Sequence, residues 1–312
     1  MRFLFFRVLL ISLLMFASPA FASLAWGQQN QAHVLASSET AFDASFSIDW
    51  ARAEMYGQAS FSLAQAGIRL PTGRFLGEDI LTEAYPRLLR PDLLSVRYDS
   101  NSTLGDLLGR GEIGIRDLDN LSLEAEKTPP SLSRDLTRMI GFYSLSLEKI
   151  SAFLNPVRRV VSEPARPLIP VQTADYTGIV IVADSELPVH GRITQALAEP
   201  CLFPKIWDTN MNLVYERNMF ETGRDGNSLM VRYAAIESIF HPTPSGLQGE
   251  LADLLGPRPL RILARGIFGI SPTDLIIDRD DALRILSTDN NRRLLREGRV
   301  LLVLDEGMLK GD

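Results

Sequence analysis

The chain has 312 residues and a formal net charge of −6, with 46% hydrophobic and 22% charged residues. That balance belongs to a globular protein and excludes a disordered or fibrous one. Mild acidity with scattered arginines excludes the basic footprint of a nucleic-acid binder, and no polybasic run marks a membrane-surface segment.

The first residues set the expected compartment. Arg2 and Arg7 are basic, residues 8–17 are apolar except for Ser12, and Ala20-Phe21-Ala22 is a small-x-small triplet after Ser18-Pro19. This three-part layout predicts an export signal over residues 1–22, cut between Ala22 and Ser23. Its apolar core of about ten residues is half of the roughly twenty that span a bilayer. No transmembrane anchor is therefore expected after signal removal, and a periplasmic or secreted location follows. The one cysteine, Cys201, lies far downstream. The first mature position thus offers no sulfur for a lipid anchor, and no internal disulfide can form. Cys201 stands in the apolar run 200–204 and reads as buried and inert.

Residues 23–44 are rich in Ala, Ser and Gln and read as a mobile leader. An N-terminal α+β domain is expected over 45–154. Phe46, Ile48 and Trp50 alternate with polar residues, as in a half-buried strand, and Met55, Gly57, Ala59 and Phe61 repeat the pattern. A hairpin or one long bent strand follows. Thr72 reads as the N-cap of a helix carrying Leu76, Ile80, Leu81 and Ala84, which Pro86 should kink or end. Residues 93–98 then read as a strand, and Ser102 as the cap of a short helix. Residues 109–133, interrupted by Gly109, Gly111 and Gly114, show no regular pattern. Another strand is expected over 136–147 and a short helix to Leu154.

Prolines 156, 164, 167 and 170, with Arg158, Arg159 and Arg166 among them, mark residues 155–172 as a linker or surface crossing. A C-terminal α/β domain is expected over 173–312. The β-branched run 177–183 predicts a central strand. Segments 202–207 and 212–215 flank a turn-rich connection and read as a hairpin. Strands are expected over 228–234, 260–268, 273–277 and 299–304, and helices over 246–255, 280–286 and 290–297. Hairpins mixed with helical crossovers predict an α+β fold: mixed sheets with helices packed on one face, in two units joined by the proline-rich linker.

Catalytic signatures are sparse. His33, His190 and His241 lack metal-ligand spacing, and no nucleophile elbow, phosphate loop or HExxH occurs. No cofactor or metal is expected. Among carboxylates, Asp184 and Asp208 each follow a predicted strand, where a ligand-facing residue often sits; both positions equally suit a turn-forming Asp. Asp278, Asp280 and Asp281 precede a predicted helix, where acids cap amides and offset the dipole. Arg292, Arg293, Arg296 and Arg299 form the densest basic cluster. The first three share one side of a helix by their spacing and offer either a solvated face or a contact for an anionic partner.

Several blocks resemble a family of exported bacterial envelope proteins, the lipoprotein-twenty family and the related flagellar-associated lipoprotein FlgP. In the N-terminal half these are Ile48-Asp49-Trp50, Met55-Tyr56-Gly57-Gln58-Ala59 and Ser95-Val96-Arg97-Tyr98-Asp99-Ser100. In the C-terminal half they include Tyr176-Thr177-Gly178-Ile179-Val180-Ile181, Pro204-Lys205-Ile206-Trp207-Asp208 and the run from Asn291 to Val300. The resemblance implies an envelope or assembly role with a connection to motility, and it transfers no catalytic residue. It departs from the family in lacking the lipid-bearing cysteine. The leading expectation is a non-enzymatic periplasmic protein that binds another envelope protein or itself. The alternatives are a hydrolase or cation-dependent enzyme using Asp184 and Asp208, and a small-ligand-binding protein with its site between the two domains.

Overall fold

A computed structural model describes residues 42–155, 162–221, 229–240 and 247–311. The expected signal with its expected cleavage site at Ala22 and Ser23, His33, His241 and residues 223–227 lie outside them. In the first half, β1 (Phe42–Asp49) and β2 (Glu54–Ser62) precede α1 (Arg74–Ser95), α2 (Leu104–Gly109) and α3 (Ile115–Leu123). Then come β3 (Glu126–Lys127), β4 (Ser131–Leu132), β5 (Arg138–Ser146) and α4 (Leu147–Leu154). The second half starts with β6 (Ile179–Ala183), β7 (Leu187–Pro188), β8 (Gln195–Ala196), β9 (Ile206–Asp208), β10 (Leu213–Tyr215) and β11 (Arg232–Ala234). It continues through α5 (Ile236–Phe240), α6 (Leu247–Leu255), β12 (Leu260–Leu263), β13 (Gly266–Phe268) and β14 (Asp274–Ile277). It closes with α7 (Arg279–Leu286), α8 (Asp289–Arg296), β15 (Val300–Leu304), α9 (Glu306–Leu309) and β16 (Lys310–Gly311). The fold is a mixed α+β arrangement, as the alternation of hairpins and crossovers predicts.

The first sheet is antiparallel, in the order β16-β1-β2-β5-β3, with β4 also on β5. Period-two alternation turns Met55, Ala59 and Phe61 of β2 and Met139, Tyr143 and Leu145 of β5 inward. They meet Ile80, Leu81, Tyr85, Leu89 and Leu93 of α1. Two strand glycines make this contact possible. A Cβ on Gly57 would lie 2.0 Å from the Tyr143 ring, and one on Gly141 2.0 Å from the Tyr85 oxygen. The two tyrosine rings meet edge-on with centroids 5.1 Å apart.

Helix α1 overturns two local expectations and continues past Pro86 instead of ending there. It begins after Gly73, so Thr72 is not its cap, and Leu76 on the expected buried face is exposed. It also runs through both Pro86 and Pro91. Proline removes one backbone donor and crowds the preceding turn. Burial of Leu81, Tyr85, Leu89 and Leu93, one per turn, holds the helix on the sheet regardless. The first half of the expected strand at 93–98 is therefore the end of α1, and the rest makes a single bridge between Arg97 and Thr103. Thr103 rather than Ser102 caps α2, in a reciprocal pair with Asp106. The stretch expected to be irregular holds α3, where the Asp117 carboxylate accepts the Gly114 N–H at 2.9 Å.

In the second half the sheet β11-β15-β6-β12 is parallel throughout. Its central strands alternate between two apolar layers. Ile179, Ile181, Val300, Leu302 and Leu304 enter the main core, while Val180, Leu301 and Val303 pack under Leu251, Leu254 and Ile236. Burial on both faces explains their uninterrupted apolar runs. The second sheet, β10-β9-β14-β13, is mixed. The 260–268 stretch, expected as one strand, is two strands in different sheets.

The halves share one core cluster that extends from Trp50 to Leu309. After β15 the chain returns to the first sheet. The Trp50 N–H donates to the Leu309 carbonyl at 2.9 Å, and β16 pairs Gly311 with Ile48. Among the described residues, no helix is long and apolar enough to cross a membrane.

Candidate functional site: the junction and the strap

The loop 97–103 and the segments around 199–205 and 269–274 meet across the halves. Leu202 and Phe203 donate their N–H groups to the carbonyls of Arg97 and Tyr98 at 3.0 and 2.9 Å. Ser271 donates to the Ser100 carbonyl at 3.0 Å. Arg97 pairs with Glu199 at 2.9 Å and reaches Ser271. At the centre is Asp274, 1% exposed. It accepts the Lys205 N–H at 3.1 Å, the Trp207 indole N–H at 3.2 Å and the Ser100 hydroxyl at 3.1 Å. Burial pushes its carboxyl above the ordinary range, and these donors oppose that rise.

Arg217 pins the same junction. Its guanidinium donates to the Leu154 carbonyl and the Tyr98 hydroxyl, and it lies 4.7 Å from the Phe203 ring centroid and 5.4 Å from that of Tyr98. Beside it opens a cleft of about 270 Å³, walled by Tyr98, Asp99 and Arg110 of one half and Phe203, Lys205 and Glu216 of the other. In the sequence, Arg97-Tyr98-Asp99-Ser100 and Lys205 stand out only within predicted strands and blocks of the resemblance, Asp274 only within the predicted strand 273–277, and Arg217 carries no signal.

The expected carboxylates follow strands of different sheets. Asp184 is half-buried after β6, in the parallel sheet, and its side chain has no hydrogen bond or ion pair among the described residues. Asp208 ends β9 in the other sheet and is 5% exposed. Its two oxygens accept Asn210 N–H at 2.9 Å, Asn212 N–H at 2.8 Å and the Asn212 amide at 2.9 Å. Asp208 therefore builds its own hairpin turn. Asp278 precedes α7 without a side-chain cap bond and pairs with Arg265 at 3.0 Å. Among the described residues, no group of three His, Cys, Asp or Glu side chains could hold a metal ion. Cys201 is fully buried, and burial pushes its thiol up.

The arginine cluster divides instead of forming one face. Arg292 is 7% exposed and bound to the Leu286 carbonyl and to Asp289. Arg293 points to solvent toward Asn290 and Glu297. Arg296 pairs with Glu163 at 3.4 Å, and Arg299 donates to the carbonyls of Thr177 and Asp253 at 2.8 and 3.1 Å. Glu163 belongs to the segment 162–171, which has no regular secondary structure and crosses α8 as a strap. Further ties are Arg166 to Asp289 at 3.1 Å and Val171 N–H to the Ser287 hydroxyl at 2.9 Å. A cavity of about 600 Å³ lies between strap and helix, lined by Glu163, Pro164, Arg166, Asp289, Arg292 and Arg296. Between Pro167 and Pro170 the strap presents Leu168 at 102% exposure and Ile169 at 82%.

Residues 41–153 match a family model described as the N-terminal domain of Treponema pallidum Tp0624, and residues 178–306 match one described as its second domain. The chain is thus similar, in the same order, to two domains of one protein, with the strap between the matched segments. None of the curated proteins matches it.

Proposed function

We propose that this chain is a non-enzymatic protein of the cell envelope, periplasmic or secreted, that binds another envelope protein through its strap. The observation that carries this reading is the Leu168-Ile169 pair. Single exposed apolar residues are ordinary on a protein surface. Here two neighbours stand in solvent between prolines that fix their backbone, on a segment tied to α8 by Arg166 and Val171. Covering them on a partner would contribute about 1.5–3 kcal/mol each. Proline restraint lowers the ordering cost of binding, as in extended proline-rich recognition segments. The export layout of residues 1–22 supports the compartment. The sequence resemblance to lipoprotein-twenty and flagellar-associated proteins supports an assembly role connected to motility. The carboxylate-enzyme alternative is disfavoured because the Asp208 oxygens are already occupied within their own turn.

The test is capture from cross-linked cells with wild type and with Leu168→Ser/Ile169→Ser. Wild type should recover a defined partner that the double variant loses while keeping wild-type stability. Equal capture by both, or recovery of monomer alone from wild type, refutes the reading.

A further inference from the structure

The junction cleft has a chemistry distinct from that of the strap. Its wall holds three cations and three anions, and they are not all spent on one another. Arg110 is satisfied by Glu112 at 2.8 Å. Arg217 has its guanidinium face against the Tyr98 and Phe203 rings, with its two Nη groups donating to a hydroxyl and a carbonyl. Asp99 uses one oxygen to accept Asn101 N–H and the Ser102 hydroxyl, at 2.9 and 3.0 Å, which shapes its own loop. That leaves Lys205 and Glu216. The Lys205 ammonium makes no ion pair or hydrogen bond among the described residues, although its charge favours the ionised Asp274 carboxylate from a longer distance. Its backbone is fixed by the bond to Asp274, so the ammonium stands on a rigid base. Glu216 accepts only a long 3.4 Å bond from the Asn218 amide among the described residues. A cation without an ion pair and an almost uncommitted anion therefore share one cleft with the partly exposed Tyr98, whose ring meets the buried Phe203 edge-on at 5.2 Å.

From this we infer that the junction cleft binds a small zwitterion of the amino-acid or dipeptide class. Its carboxylate pairs with Lys205, its ammonium with Glu216, and its side chain lies beside the partly exposed Tyr98 ring. Size agrees, because about 270 Å³ falls just below the roughly 300 Å³ at which drug-sized pockets begin. Charge agrees as well: a simple anion would leave Glu216 unmatched, and a simple cation would leave Lys205 so. A cleft between two sequence segments that match separate domain models is also a usual place for a ligand. The cleft shares no residue with the Leu168-Ile169 knob, so this inference stands or falls independently of the strap.

The experiment is calorimetric titration of the full mature chain with the dipeptide Gly-Phe, with N-acetyl-Gly-Phe and Gly-Phe amide as singly charged controls. Each charge-assisted contact should be worth roughly 10- to 100-fold in affinity, so both blocked forms should bind that much more weakly. Lys205→Met should weaken Gly-Phe while leaving Gly-Phe amide unchanged. Glu216→Gln should weaken Gly-Phe while leaving N-acetyl-Gly-Phe unchanged. Glu216→Gln should unfold at the wild-type urea midpoint, while Lys205→Met keeps the backbone bond to Asp274 and loses only the long-range charge on that carboxylate. No saturable heat for Gly-Phe up to about 10 mM, a range that covers affinities weaker than 1 mM, overturns the inference. So does equal binding of the blocked forms, or a loss in Lys205→Met that does not distinguish Gly-Phe from its amide.

Discussion

Asp274→Ala should uncouple the two halves more severely than any surface change. The carboxylate is 1% exposed and serves as acceptor for Lys205 N–H, the Trp207 indole and the Ser100 hydroxyl, which reaches it from the other half of the chain. Each buried donor left without an acceptor costs about 1–3 kcal/mol. Removing a desolvated carboxylate returns part of that sum, which leaves a net loss of about 3–5 kcal/mol. Against a typical total of about 5–15 kcal/mol, the fold should be close to failure. Asp274→Asn keeps one acceptor oxygen and should lose about 1–3 kcal/mol. Urea unfolding followed by Trp fluorescence reads both, with midpoint and slope compared to wild type. The pH dependence carries a defined sign. Burial raises the folded-state pKa of Asp274 above its unfolded value of 3.8, so the folded protein holds this proton to higher pH than the unfolded chain does. As pH rises through the interval between the two values, wild type should lose stability relative to Asp274→Asn. Asp274→Ala within about 1 kcal/mol of wild type, below the cost of a single orphaned donor, would refute the reasoning.

Gly57→Ala places a Cβ 2.0 Å from the Tyr143 ring and should cost about 1–3 kcal/mol by overpacking; Tyr143→Leu in the same chain should recover part of that loss in urea unfolding. The Tyr85 and Tyr143 hydroxyls are buried and have no hydrogen-bond partner among the described residues. Tyr85→Phe should therefore leave thermal stability unchanged or raise it by about 1 kcal/mol, and a loss of that size would show that the hydroxyl is satisfied. The Cys201 thiol is fully buried and its pKa raised, so a thiol reagent at pH 8 should label the unfolded chain and spare the native one.

Much of the fold was readable where local and tertiary preferences agree. The run 177–183 has to be a central strand because both its faces are covered, and β-branched residues on both faces announce that. The alternation through Phe46, Ile48 and Met55 shows the first hairpin for the same reason. Helix α1 was not readable past Pro86, because its continuation depends on Leu89 and Leu93 finding the sheet, a contact made only in three dimensions. Helix α3 was hidden by the glycines around it, although Asp117 stands at the spacing from Gly114 that a first-turn acid requires. The junction was the least legible part. Asp274 reads locally as the polar start of an apolar strand, and its partners lie 67 to 174 residues away. The arginine cluster was legible as a cluster but not in its orientation, since the strap that receives Arg296 is distant in sequence.

The direct test of the strap is photo-cross-linking in intact cells, with a light-activated residue placed at position 168 or, as an equally exposed control, at Ile193. A discrete heavier adduct from position 168 in the exported fraction, absent at 193, is the predicted result. No adduct at 168, or the same pattern from both positions, would contradict it.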